Sequence, residues 1–521
     1  MARTVIVILV NFVLLVFAVR ADAQVIERVS VSSTGAEANG ASWVVSGHRV
    51  MSADGRYVVF WSEATNLVED DTNGVDDVFI RDRELNTTSR VSVDLSGENA
   101  DGPSRDASIS ANGRYVSFTS AATDLVENDR NWQWDIFVRD LHLEQTYRVS
   151  VTPEGGDALD DSAGSSISAD GRYVAFVTWA RLLAPGDTDW GWQRDVIVRD
   201  MESGENVLVS VTPDGGNPAK ACWNASISGD GRHVVFMSQS DDLIADDTDE
   251  NVDIYHYDLD AGEMVRVSVG HEGGDADSRS ASPEVSADGR FVVFRSWATD
   301  HVADDTNDQA DIFVRDLATA TTTRVSVSSS GDQAADGGSW HPHISDDGRY
   351  VTFLTDASNL FENDTEALGD IVVHDRVTGE TRTVSRGVSG HQPNGWIGNP
   401  SISSDGRYVV FESEAENLID GDTNGDMDVF ISTGPATGPH LSIPAVARVQ
   451  GSGAFFSSRV DAFNASDQEL AAEVEFTPRS DVTVESRITT ITLSPRQMIT
   501  VEDPLHEWFG IGSTRAAGSL M

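Results

Sequence analysis

Hydrophobic and polar positions follow one pattern that recurs along most of the chain. A polar Ser-x-Asp/Asn-Gly-Arg segment is followed by Tyr-Val-x-Phe or a close variant, in which alternate positions are apolar. Seven glycines mark the copies: Gly55, Gly113, Gly171, Gly231, Gly289, Gly348 and Gly406. Their spacings are 58, 58, 60, 58, 59 and 58 residues. Because chance does not produce such regularity, the pattern predicts a repeat architecture of seven units.

Each unit is expected to contain four strands. The first ends in a run such as Ser108-Ile109-Ser110, and Asp-Gly or Asn-Gly then supplies the positive φ that a tight hairpin needs. The second strand is Arg56–Phe60 in the first copy, the third is Asp77–Arg81, and the fourth is Arg90–Val93. Four-stranded units that cannot bury both faces alone stack around a ring, so the sequence predicts a β-propeller.

The ends of the repeat region indicate how the ring closes. The seventh unit ends at Asp428–Ile431 and lacks the Arg-Val-Ser-Val strand that follows in earlier copies. A single extra copy of that strand, Arg28–Val31, lies near the N-terminus. The predicted fold is therefore all-β, a seven-bladed propeller closed by an N-terminal strand.

The segment Ser-x-Asp-Gly-Arg-Tyr-Val-x-Phe resembles the repeat of TolB-like propellers, a broad bacterial family of exported, WD40-like folds. The resemblance covers about residues 24–433 and implies the fold, but propellers host many activities. TolB itself combines six blades with an N-terminal α/β domain, whereas this chain has seven units and no such domain. The role of TolB with its membrane partners is therefore not carried over.

Segments outside the repeats divide the rest of the chain. Residues 1–23 have the positive start, apolar run and small-x-small ending of a signal peptide. Residues 434–440 are a Gly- and Pro-rich linker, and residues 441–521 alternate in the manner of a small β-sandwich-like module. The sequence leaves open whether this module is complete. A secreted, periplasmic or cell-surface location is expected.

Composition narrows the classes of partner. With 85 acidic against 36 basic residues the net charge is −49, which disfavours nucleic acid because phosphate binding needs clustered Lys and Arg. After removal of the signal no apolar run is long enough to span a membrane. A single cysteine, Cys222, excludes an intrachain disulfide, and we expect it to be a buried core residue.

The loop between the second and third strands carries acidic residues at fixed spacing. Oxygen ligands at positions i, i+2 and i+6 can surround Ca²⁺, so calcium is the predicted cofactor. The alternative is that Asp and Asn only cap turns through hydrogen bonds to the backbone. The candidate ligands are Asp71, Asn73, Asp77, Asp129, Asn131, Asp135, Asp247, Asp249, Asp253, Asp305, Asn307, Asp311, Asp364, Glu366, Asp370, Asp422, Asn424 and Asp428.

A second candidate site lies where the first strands converge. Strand alternation is expected to place the positions five and seven residues before each hairpin glycine on one face. If that face lines the channel, five titratable side chains converge there: His48, Asp106, Glu284, His341 and His343. The run His341-Pro342-His343 resembles part of the manganese site of oligogalacturonate lyases. Two further features of that family are missing, since Ser282 and Gly338 occupy the matching positions.

Two functions remain open at this stage. The favoured prediction is a monomeric, calcium-stabilised binding or scaffold protein that recognises a protein or polysaccharide ligand. The alternative is a polysaccharide lyase or hydrolase with a metal or histidine site at the channel mouth. A metal-ready group of three side chains in the channel would favour the enzyme, and a plugged channel would favour binding.

Overall fold

A computed structural model describes residues 25–187, 193–362, 364 and 369–433, together with five strands nearer the C-terminus. The chain divides into two compact units, residues 1–435 and 436–521. The first unit holds seven four-stranded antiparallel sheets arranged as a seven-bladed propeller. The predicted all-β propeller class is confirmed. Among the described residues no helix is long and apolar enough to cross a bilayer.

The strands of each blade follow one another in chain order. Blades 1 to 3 comprise Ser42–Trp43, Tyr57–Ser62, Asp77–Asp82, Thr87–Arg90; Ser104–Ile109, Tyr115–Ser120, Asp135–Asp140, Gln145–Arg148; and Ser162–Ile167, Tyr173–Thr178, Asp195–Asp200, Asn206–Leu208. Blades 4 and 5 comprise Cys222–Ile227, His233–Ser238, Asp253–Asp258, Glu263–Arg266; and Ser280–Val285, Phe291–Ser296, Asp311–Asp316, Thr321–Arg324. Blade 6 comprises Ser339–Ile344, Tyr350–Thr355, Asp370–Asp375 and Thr381–Thr383, and a short 3₁₀ helix, Val388–Gly390, follows it.

The seventh blade joins the two ends of the ring. It contains Ile397–Ile402, Tyr408–Ser413 and Asp428–Thr433, and its fourth strand is Val25–Arg28 from the N-terminus. Arg28 pairs with Phe430 and Val25 with Thr433 in antiparallel register. Backbone hydrogen bonds thus connect the first residues of the propeller to its last strand.

The Asp/Asn-Gly-Arg-aromatic segment recurs in every repeat because its residues pack against the neighbouring blade at the hairpin. Gly171 has a φ of +82°, which favours glycine. A Cβ there would lie only 2.1 Å from the ring of Tyr115, which belongs to the preceding blade. Arg172 then stacks on Tyr173 and pairs with Asp200 at 2.8 Å. Each Asp-Gly-Arg-aromatic segment therefore both turns the chain and contacts a neighbouring blade.

Two strand assignments differ from the sequence prediction. The fourth strands end earlier, since Thr87–Arg90 replaces the expected Arg90–Val93. Beyond Arg90 the chain leaves the ladder after one further hydrogen bond, from the Val91 N–H to the Val78 carbonyl at 2.7 Å. In the first strands the register shifts at a β-bulge, as between Arg105 and Ser108. Simple alternation fails there because a bulge inserts one extra residue.

The second unit contains five described strands: Val460–Phe463, Leu470–Pro478, Arg487–Leu493, Met498–Val501 and Gly518–Leu520. The first pairs with the fourth, and the second pairs with both the third and the fifth. All of these pairings are antiparallel.

Candidate functional site

In blade 4 the acidic loop encloses an arginine. The Nη1 atom of Arg266 lies 3.2 Å from Asp247, 3.8 Å from Asp253 and 2.6 Å from Asp275. The side chains of Arg266, Asp247 and Asp253 are each only 3% exposed. The arginine occupies the last position of the fourth strand, so the sheet carries it into the loop. The loop carboxylates therefore have a positive charge supplied by the protein itself.

The same ion pair recurs in four further blades. An arginine lies within 4 Å of the two buried aspartates of the loop in each case: Arg28 with Asp422 and Asp428, Arg90 with Asp71 and Asp77, Arg148 with Asp129 and Asp135, and Arg324 with Asp305 and Asp311. Sequence reasoning treated these arginines only as strand markers. The sequence feature that could have revealed their role is a polar residue nine positions after each arginine. Asn99, for example, accepts a hydrogen bond from Arg90 at 2.5 Å.

Blades 3 and 6 use an amide where the others use arginine. The equivalent positions are Leu208 and Thr383. In blade 3 the side-chain amide of Asn217 donates to Asp187 and Asp195 at 3.5 and 2.9 Å. In blade 6 the amide of Gln392 donates to Asp364 and Asp370 at 2.7 and 3.0 Å. Both amides stand at the position nine residues on. In blade 6 the charge of Arg386 also acts on Asp370, against the burial that raises the pKa of this carboxyl group.

Burial dominates the electrostatics of these loops. It raises the pKa of Asp253 to about 7, against the lowering effects of the Ser268 hydrogen bond and the Arg266 charge. Burial likewise raises the pKa of Asp135, Asp305 and Asp422 to about 6. Desolvation disfavours the charged form of a carboxylate, and the arginines offset only part of that cost.

The loop asparagines show the turn-capping arrangement. The Asn131 amide nitrogen donates to Asp135 at 2.7 Å, and its oxygen accepts the Gln133 backbone N–H at 3.2 Å. The amides of Asn73, Asn307 and Asn424 contact the aspartate four residues later in the same way. The side chains of these asparagines are therefore engaged in the hydrogen bonds of the turn. Glu366 lies outside the described residues.

Two groups of acidic side chains have oxygens close enough to hold one metal ion within the described part of the chain. They are Glu37 with Asp422 and Asp428, and Asp247 with Asp249 and Asp253. Each of these groups also contacts an arginine, Arg28 in the first and Arg266 in the second. Calcium binding at the acidic loops stays a prediction.

The channel is lined by buried side chains five residues before each hairpin glycine: Val50, Ser108, Ser166, Ser226, Glu284, His343 and Ser401. In three blades this side chain accepts a backbone N–H of the next blade. The pairs are Ser166 with Ile227 at 3.2 Å, Glu284 with Ile344 at 2.8 Å and His343 with Ile402 at 3.3 Å. These polar groups hold adjacent first strands together.

Glu284 and His343 form the closest pair of titratable groups in the channel. Because Nδ1 of His343 accepts the Ile402 N–H, its Nε2 carries the proton and donates to Glu284 at 2.9 Å. Ser401 lies 3.0 Å from the same Nε2 atom. A catalytic triad needs the base and the orienting acid on opposite ring nitrogens, so these three residues do not form one.

The other three channel candidates form no hydrogen bond or ion pair with this pair, although the charge of His343 acts on His48. His341 and Asp106 occupy the bulge with φ of 50° and 54°, which separates them from the face predicted by alternation. His341 instead contacts Ser46 at 2.9 Å. Burial lowers the pKa of His48 to about 4, with a smaller contribution from His343. Of the five candidates, the structure brings only Glu284 and His343 into contact.

One small cavity lies among the first strands of blades 3 to 6. This cavity of about 20 Å³ is lined in part by Ser226, Glu284 and His343, which is room for about one water molecule. Arg49 and Asp346, which also line it, form an ion pair. None of the metal-capable acidic or histidine groups found among the described residues lies in this channel.

A cationic cluster lies at the start of the first strand of blade 5. The guanidinium carbons of Arg279 and Arg295 lie 4.1 and 4.3 Å from the centre of the Trp297 ring. Arg279 directly precedes the strand, and its carbonyl accepts the Trp297 N–H at 3.1 Å. The strand register places Arg295 opposite Ala281.

No protein-family model and no curated protein sequence matches the chain. Solved structures are similar in fold. The chain resembles TolB proteins. A putative TolB from Agrobacterium tumefaciens is 17% identical and the match covers 67% of this chain and 95% of that one, with a TM-score of 0.36. An oligogalacturonate lyase from Vibrio parahaemolyticus is 13% identical over 80% and 98% of the two chains, with a TM-score of 0.48. The propeller domain of the Trilobed protease from Pyrococcus furiosus is 16% identical over 78% and 100%, with a TM-score of 0.46.

Proposed function

We propose that this chain is an exported propeller that acts as a binding or scaffold protein for a protein or glycan partner. The observation that carries the proposal is the engagement of the channel side chains. Glu284 and His343 each accept a backbone N–H of the next blade, so they join blades. The cavity beside this pair admits about one water molecule. Recognition is therefore assigned to the exposed rims of the disc.

Export is a second part of the proposal. It rests on the signal-like composition of residues 1–23, which lie outside the described residues. A secreted, periplasmic or cell-surface protein with one cysteine needs another source of stability than disulfides. The buried apolar core of the blades and the pairing of the N-terminal strand with the last strand of the ring are proposed to supply it. Calcium would add to them if the loops bind it.

The lyase or hydrolase alternative is tested with the mature chain on panels of acidic and neutral polysaccharides and peptides. Retention is measured by surface plasmon resonance, and release of reducing ends or unsaturated products is measured in parallel. We expect reversible retention without product. Product that disappears in Glu284→Gln and His343→Ala, but persists in Arg232→Met at the exposed rim, would overturn the binding assignment. Absence of retention on every panel would also overturn it.

A further inference from the structure

Two arginines that share one tryptophan ring stand apart from the other arginine–aromatic contacts of the propeller. Among the residues that the structure describes, neither Arg279 nor Arg295 has a carboxylate within 4 Å, although the chain carries a net charge of −49. The Nε atom of Arg295 is buried and has no hydrogen-bond partner. An unpartnered buried donor is costly. Four arginines of the acidic loops share this feature at Nε, but each of them pairs with carboxylates through Nη1: Arg90, Arg148, Arg266 and Arg324.

Comparison with similar rings in the described propeller sharpens the contrast. Phe291 and Tyr408 also carry two guanidinium groups each. In both cases one of the arginines pairs with an acid: Arg290 with Asp316 at 2.7 Å, and Arg83 with Glu27 at 2.9 Å. The cluster at Trp297 lacks this neutralising partner.

The charges around Arg295 are of one sign. Burial and, to a smaller extent, the charge of Arg279 together lower its pKa to about 10, with no carboxylate acting in the other direction. Burial also lowers the pKa of His341, and the charge of Arg295 contributes. Two guanidinium groups held together without a counter-charge attract an anion, and their planar donors match a carboxylate.

We propose that Arg279, Arg295 and Trp297 form a subsite for a ligand that presents a carboxylate. The guanidinium groups donate to the carboxylate, and the ring holds both of them in place by cation–π contact. Arg279 is exposed and Arg295 is half-buried, so a ligand can reach the Arg279 guanidinium from solvent, whereas the Nε atom of Arg295 is buried. This inference deepens the proposed binding function, because it names the chemical group that the ligand must carry.

The test uses the full mature chain and defined probes. Binding of citrate, a linear uronic-acid trisaccharide and a neutral trisaccharide is measured by calorimetry and by quenching of tryptophan fluorescence. We expect at least one acidic probe to bind with roughly millimolar or tighter affinity, weakened by salt, and the neutral sugar not to bind. Binding of citrate alone would identify a free organic acid as the source of the carboxylate. Binding of the uronic-acid trisaccharide would identify an acidic sugar as the source.

Variants separate this subsite from general effects. Arg279→Met and Arg295→Met should each weaken the acidic probe roughly tenfold or more, as expected for a charge-assisted hydrogen bond. The matched control is Arg194→Met, because Arg194 is also half-buried and stacks on a single tryptophan, Trp179, at 4.6 Å. Equal binding in all variants, or no binding of either acidic probe, would overturn the subsite.

The two proposals fail in different ways. If the panels show retention that Arg279→Met and Arg295→Met leave unchanged, the binding function stands and the carboxylate subsite is wrong. If the acidic probes bind at this cluster and product forms, the subsite stands and the binding-only assignment is wrong. If nothing binds in either experiment, both are wrong.

Discussion

Replacement of Arg266 by methionine tests whether arginine is the resident cation of the acidic loops. Methionine keeps most of the length and the apolar stem of the side chain but removes the charge. The change leaves Asp247 and Asp253 facing each other at a site where both are 3% exposed. Removing one partner of a buried ion pair costs about 3–5 kcal/mol, because the remaining charges stay buried and uncompensated.

The expected shift in melting temperature follows from the size of the ring. A unit of about 400 residues has an unfolding entropy of about 0.8 kcal/mol/K if it melts cooperatively. The loss of stability then corresponds to a fall of about 4–6 °C in Tm. Thermal unfolding of the mature chain, followed by circular dichroism or calorimetry, measures it. Arg232→Met is the matched control, because Arg232 is 61% exposed and pairs with an exposed aspartate, and its Tm should barely change.

The loss should depend on pH with a defined sign. The pKa of Asp253 in the folded chain is about 7, above its ordinary value of 3.8. A raised pKa contributes stability when the group is protonated, and that stability is lost as the pH rises from about 4 through 7. Without Arg266 the pKa moves higher still. The difference in Tm between Arg266→Met and the parent chain should therefore be largest above pH 7 and shrink toward pH 4.

Melting of the variant and the parent chain with and without Ca²⁺ distinguishes an arginine from a calcium ion in the loop. In Arg266→Met the oxygens of Asp247, Asp249 and Asp253, which lie within 4.8 Å of one another, lose their competing guanidinium. Millimolar Ca²⁺ should then raise the Tm of the variant. If arginine is the resident cation, the parent chain melts at the same temperature in EDTA and in Ca²⁺, and a Ca²⁺-dependent rise in its Tm would instead support the calcium prediction. A parent chain strongly stabilised by Ca²⁺, together with a variant that melts unchanged, would refute the arginine assignment and support calcium.

Three further predictions concern the ring and its one thiol. Cys222 is fully buried and its pKa is raised far above its ordinary value, so a thiol reagent should label it only after denaturation, and stoichiometric labelling of the folded chain would contradict this. Ser30→Ala removes a hydroxyl that donates to Asp428 at 2.5 Å and should cost about 1–3 kcal/mol in urea unfolding; an unchanged midpoint would show that the pairing adds nothing. Gly171→Ala should lower Tm well beyond Gly155→Ala, since both have positive φ but only the first Cβ would meet a ring, at 2.1 Å; equal losses would exclude the packing explanation.

The sequence repeat made the fold predictable. The channel site was less predictable, because β-bulges in the first strands change which side chains share a face. Seven evenly spaced glycines and the lone N-terminal copy indicate blade number and closure, and Val25–Arg28 pairs with the last strand of the ring. The prediction that His341 and His343 converge was wrong, because His341 lies in the bulge and has a left-handed backbone conformation. A bulge leaves no periodic signal in one sequence, so alternation was applied where it does not hold.

The acidic loops show why spacing alone did not decide between metal and protein. Positions i, i+2 and i+6 satisfy the geometry of a calcium loop, but the arginine between the carboxylates comes from a strand about 13 residues later, as Arg90 does for Asp77. In blades 3 and 6, which have Leu208 and Thr383 at the arginine position, a side-chain amide contacts both carboxylates. Where the arginine is replaced, the residue nine positions later is an amide that donates to the carboxylates, and the carboxylates themselves are retained. Such paired change is expected of an internal hydrogen-bonding partner, and calcium binding at these loops stays a prediction.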